Sequence, residues 1–117
     1  MTIKALSYIG VNSDKFDDWS YYSQKNLGMQ LVDRGKGILS FRMDDQKQRL
    51  TITGDKGDNL GFLGWEVENK EDLQFFASKL EKNKIEVKHG KSSFADKRFV
   101  EDLIYFNDPQ GNRIELI

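Results

Sequence analysis

The chain of 117 residues has no cysteine. Disulfides, thiolate zinc centres, iron–sulfur clusters and a cysteine nucleophile are therefore excluded together. It has a single histidine, His89, so no site within one chain can offer two imidazoles to a metal ion. There is no excess of one charge: 18 Lys and Arg stand against 19 Asp and Glu, and the signs are interspersed without a basic block. Nucleic acid is not expected as a partner. Long apolar runs are also missing, and the opening MTIKALSYIG has neither the hydrophobic region nor the small-residue cleavage site of a signal peptide. One domain in the cytoplasm, away from the membrane, is the expectation from length and composition.

What the sequence does contain is an internal repeat. LSYIGV at 6–11 matches LGFLGW at 60–65, an offset of 54 that pairs Tyr8 with Phe62 and Gly10 with Gly64. FRMDDQKQRLTI at 41–52 matches YFNDPQGNRIEL at 105–116, an offset of 64 that pairs Asp44 with Asp108, Gln46 with Gln110 and Arg49 with Arg113. The change in offset places an insertion of ten residues in the second copy, most simply within HGKSSFADKRF at 89–99. Module 1 then spans about 1–56 and module 2 about 57–117.

Each copy has the same periodicities. Residues 3–12 are apolar and β-rich, and Ser13 or Asp14 is placed to cap the next helix. Phe16, Trp19, Tyr22 and Leu27 fit one helical face, with Gly28 at the C-terminal cap. Residues 29–35, 37–43 and 49–53 read as strands. In the second copy 61–68 is a strand and Asn69, with Asp72 three residues on, caps a helix carrying the stripe Leu73, Phe76, Ala77 and Leu80. Strands follow at 85–89, 102–106 and 113–117, the last after the turn Asp108-Pro109-Gln110-Gly111. Each half is thus βαβββ. A four-stranded sheet with one helix leaves a face uncovered, so the α+β expectation is two paired βαβββ modules forming an incomplete barrel with a concave inner face.

Paired modules with these strand sequences resemble the vicinal oxygen chelate superfamily, which includes glyoxalase I, bleomycin resistance proteins and extradiol dioxygenases. IKALSYIGV, KNLGM, GFLGWEVEN and IYFNDPQGNRIEL are most similar to the N-terminal domain of two-domain extradiol dioxygenases of the catechol and biphenyl-diol type. Ile104, Tyr105, Asp108, Pro109, Gly111 and Glu115 fit the signature around that family's glutamate ligand, but the histidine it places shortly before is missing, and 95–99 read ADKRF. The resemblance implies metal-ligand positions on the inner faces of the first and last strands of each module, which the repeat maps to Tyr8, Thr51, Phe62 and Glu115. Non-haem Fe(II) calls for two imidazoles and a carboxylate. With Tyr and Phe at two of these positions, a vestigial site with no metal and no catalytic residue is implied.

Beside that reading stand plainer ones. Glu115, if buried, needs a raised pKa or a hydrogen-bonded partner, for which Tyr8 and Tyr105 are candidates. Tyr8, Phe62, Trp65 and Tyr105 either form an aromatic pocket for a planar ligand or simply fill the core. His89 is expected at an exposed or edge position, and Phe94 and Phe99 in a lid or an inter-domain contact. Two functions follow. One is a non-catalytic N-terminal domain, inactive alone, of an Fe(II)-dependent extradiol dioxygenase whose catalytic C-terminal domain is its partner. The other is a stand-alone homodimer of the bleomycin-resistance type that binds a small aromatic ligand.

Overall fold

The computed structural model describes residues 2–46, 48–54, 57–98 and 100–117, with the side chains of Asp33, Arg34, Phe94 and Lys97 excepted. Its elements run β1 (Ala5–Asn12), α1 (Phe16–Tyr21) extended by a π-helical turn (Tyr22–Asn26), β2 (Gln30–Gly35), β3 (Ile38–Arg42), β4 (Leu50–Thr53), β5 (Asn59–Glu66), α2 (Lys70–Lys82), β6 (Lys88–His89), α3 (Ser92–Lys97), β7 (Ile104–Asn107) and β8 (Arg113–Leu116). Cα proximity divides the chain into Tyr8–Gly61 and a second unit of Met1–Ser7 with Phe62–Ile117.

In the first unit β1 runs parallel to β4, and β4, β3 and β2 follow antiparallel. Strand alternation puts Leu39, Phe41 and Ile52 on one face, where they form a fully buried cluster covered by Phe16 and Trp19 of α1. The helix ends through Leu27 N–H to the Tyr22 carbonyl (3.1 Å) and Met29 N–H to the Ser23 carbonyl (2.8 Å), with Gly28 at φ 70° as the terminating residue. The expected helical face is only half realised. Phe16 and Trp19 pack on the core, whereas Tyr22 and Leu27 are exposed because the wider π turn rotates them away from the α-helical spacing.

The second unit repeats the plan. β5 is parallel to β8, and β8, β7 and β6 follow antiparallel. Asn69 caps α2 by accepting the Asp72 N–H at 2.9 Å. Leu73 and Ala77 of α2 pack on Val67, Ile104 and Leu116, with Trp65, Phe76, Val87 and Phe106 around them. The two offsets of the repeat hold in the parallel pairs: Gly10 lies beside Thr51, and Gly64 beside Glu115.

They do not hold in the hairpins. Phe41 faces Leu50, but its counterpart Tyr105 faces Glu115 rather than Ile114, a slide of one residue. Since a strand alternates faces, this moves Tyr105 off the helix-covered side and gives its core place to Phe106. The tight turn at Asp108, closed by the Gly111 N–H on the Asp108 carbonyl (2.9 Å), sets the shorter connection. The insertion adds a helix the sequence reading lacked, α3. It also shortens the strand expected at 85–89 to Lys88–His89.

Candidate functional site

The face of the second unit opposite α2 is built by alternation. Register places Phe62, Arg113, Glu115, Tyr105 and Lys88 on it, and Trp65, Ile104 and Leu116 on the other. Glu115 is fully buried. Its carboxylate is held by a fork from Arg98, with Nε donating to Oε1 at 2.9 Å and Nη2 to Oε2 at 3.1 Å. Arg113, two residues along β8, donates from Nε to Oε2 at 2.9 Å.

Both guanidinium groups also rest on aromatic faces. The Arg98 guanidinium carbon lies 3.8 Å from the Phe62 ring centroid, and that of Arg113 lies 3.9 Å from the Tyr105 centroid. The motif is one buried anion, two cations and two rings. Such charge-assisted forks are shorter and stronger than neutral hydrogen bonds, and stacking on a ring costs a guanidinium little hydration. A cavity of about 330 Å³ adjoins this face, lined by Lys88, Tyr105, Asn107 and Arg113 among others.

Of the residues singled out from sequence, the structure brings Phe62, Tyr105 and Glu115 onto this one face. Trp65, expected with them, packs on the α2 side instead, since it is three residues from Phe62 on the same strand and so on the opposite face. Tyr8 and Thr51 lie buried in the first unit, where Thr51 Oγ1 donates to Gln48 Oε1 at 2.9 Å. His89 is exposed on β6 at the end of the strand order. The expectation for Phe94 and Phe99 concerns a side chain and a residue outside those described.

Arg98 and Arg113 are partners of Glu115 that the sequence pattern does not reveal. Arg113 was within reach, because a residue two before Glu115 on a strand shares its face. Arg98 lies 17 residues away in sequence, and its only signal is its place in ADKRF, shortly before the final run, where the family signature has a histidine.

These residues do not fit a non-haem iron centre. That centre takes two neutral imidazoles and a carboxylate with open positions. Here both carboxylate oxygens face guanidinium groups, a phenyl ring holds the Phe62 position, and the one imidazole is on an exposed strand elsewhere. Among the described residues no group of three or more His, Asp or Glu is placed to hold a metal.

Two other carboxylates, related by the repeat, organise turns. Asp108 accepts the Asn112 N–H (2.8 Å), the Asn112 side-chain amide (3.1 Å) and the Gln110 N–H (2.9 Å), which together hold its pKa below the ordinary value. Asp44 is held low first by the Arg49 side chain and then by the Gln46 N–H.

Known proteins are similar to this chain in sequence and in fold. The family model described as Dihydroxybiphenyl dioxygenase BphC D1 matches residues 6–54. An iron-dependent extradiol dioxygenase of Rhodococcus jostii (strain RHA1) is 35% identical over 98% of this chain and 39% of its own length. A biphenyl-2,3-diol 1,2-dioxygenase of Sphingomonas paucimobilis is 30% identical over 99% of this chain, again 39% of its own. A catechol 2,3-dioxygenase crystal structure superposes with a TM-score of 0.94 and 30% identity, covering all of this chain and 42% of that one. The chain thus spans about two fifths of the length of the relatives it matches. Over nearly all of its length the chain is similar to the N-terminal domain of extradiol dioxygenases of the vicinal oxygen chelate superfamily.

Proposed function

We propose that this chain is a non-catalytic first domain of a longer extradiol dioxygenase that opens a catechol-type ring. The reacting Fe(II) would be carried by the remainder of that enzyme. The observation that carries the reading is Glu115: the one carboxylate at a ligand position is fully buried and bonded on both oxygens by Arg98 and Arg113, beside a phenyl ring at the other ligand position of the same unit. The parent's substrate class comes from the relatives' names, all of which describe dioxygenases of vicinal diols or extradiol type.

On this reading the partner is the catalytic domain, and the domain contributes stability and surface to it. Tyr21, Tyr22 and Leu27, large apolar side chains exposed on one short helix and its continuation, are suited to such a contact. A stand-alone binder for a planar ligand is less well supported, because Phe62 and Tyr105 each already have a guanidinium on one ring face and Trp65 faces α2. A cytoplasmic location belongs to the same proposal; no helix among the described residues is long and apolar enough to cross a membrane.

The test is ring-fission absorbance with catechol, 3-methylcatechol and 2,3-dihydroxybiphenyl as substrates, in the presence of Fe(II) and oxygen. The 117-residue chain is expected to give no product, and a longer chain containing it to give product. Turnover by the 117 residues alone overturns the proposal.

A further inference from the structure

Arg98 comes from the inserted segment, outside the sheet it serves, and reaches a site whose shape matches its own head group. The two carboxylate oxygens of Glu115 accept from Nε and Nη2 in the parallel fork that suits a planar guanidinium, and the Phe62 ring lies flat beneath it at 3.8 Å. The residue is buried to within 9% of full coverage, and Glu115 completely. Arg113 donates independently to Oε2, so the carboxylate keeps one cation if Arg98 is removed.

The segment is anchored at both ends. Gly90 N–H donates to the Leu103 carbonyl at 2.9 Å, and the end of α3 is closed by the Arg98 N–H on the Ala95 carbonyl at 3.1 Å. Ala95 itself is buried.

We propose that Glu115 and Phe62 form a recognition site for a planar monocation of the guanidinium or amidinium class, and that Arg98 is its tethered ligand. A chain lacking the Arg98 head group then binds a free guanidinium compound in its place. This inference stands on the second unit's own geometry and does not require that the chain be part of a dioxygenase.

The experiment uses the full chain with Arg98→Ala. Methylguanidinium is added at about 20 mM, a concentration at which a ligand of millimolar affinity shifts folding by mass action. Sodium and ethylammonium at equal ionic strength are the controls. The expected result is a rise of roughly 5 °C in the melting midpoint of Arg98→Ala with methylguanidinium alone. The wild type should not respond, and neither should Arg98→Ala/Glu115→Gln. A rise of the same size with ethylammonium or sodium overturns the proposal, since the site would then accept any cation, as does no rise at all.

Should Arg98→Ala fail to fold without ligand, two observations decide. Folding of that variant on addition of methylguanidinium supports the proposal. In the wild type, a slowly exchanging Arg98 Nε–H resonance in nitrogen-15 NMR supports it, and rapid exchange of that proton overturns it.

Discussion

Glu115→Gln removes a single charge at nearly constant shape and is the most informative perturbation of the second unit. The wild-type carboxylate neutralises two guanidinium groups, one with 10% of its side chain exposed and the other with 29%. Breaking a buried pair by removing one partner typically costs about 3–5 kcal/mol, because the remaining charge stays desolvated. Arg113 is open enough to recover some hydration, so the expectation lies at the lower end, about 3 kcal/mol. In a domain of this size that corresponds to roughly 12 °C in the melting midpoint. It is also a large part of the roughly 5–15 kcal/mol that a domain possesses.

Urea unfolding followed by circular dichroism is the assay, with the midpoint falling and the slope unchanged. Lys4 supplies the internal comparison. It pairs with Glu66 at 3.8 Å and Glu68 at 3.7 Å with all three side chains substantially exposed, so Lys4→Ala should cost under about 1 kcal/mol and less in high salt. A Glu115→Gln loss below 1 kcal/mol, or one that shrinks with salt like that of Lys4, would refute the view that this carboxylate is the buried hub of its unit.

Other outcomes follow from single positions. At Gly90 an added Cβ would lie 2.7 Å from Cγ and Cδ1 of Leu103, itself fully buried, so Gly90→Ala should destabilise by about 1–3 kcal/mol in the same unfolding experiment. Lys84 holds φ 64° just after α2, where glycine is at ease, so Lys84→Gly should stabilise by up to about 1 kcal/mol; a loss would show that the lysine side chain matters more than the backbone. For Asp108 the folded pKa lies below the ordinary 3.8. Its charged form therefore stabilises the fold fully above that value, and the contribution is lost as pH falls through the folded pKa. The stability gap between wild type and Asp108→Asn should accordingly be constant near neutrality and close only below pH 3.8, as acid-unfolding curves of the two would show.

The architecture was legible because the sequence states it twice. Gly10 and Gly64 mark the same point of two strands, and the register of both parallel pairs follows from the offsets. Local chemistry was equally readable: Asn69 is a cap whose partner is three residues away, and Gly28 takes the left-handed conformation that ends its helix. The hairpin slide was not, because aligned sequences carry residue order while pairing is set by the length of the intervening turn. That slide decides which side Tyr105 is on. Nor was Arg98. A six-residue helix in a segment without apolar periodicity leaves no trace in the pattern, and a pair separated by 17 residues depends on how the insertion folds back. The carboxylate was thus found from sequence, and its cations were found from structure.

On the proposed reading, the carboxylate of Glu115 serves arginine and not iron. Anaerobic equilibrium dialysis of the purified chain against Fe(II), followed by elemental analysis, tests it most directly. No stoichiometric iron is expected in the wild type. One iron per chain, lost on Glu115→Gln, would contradict it.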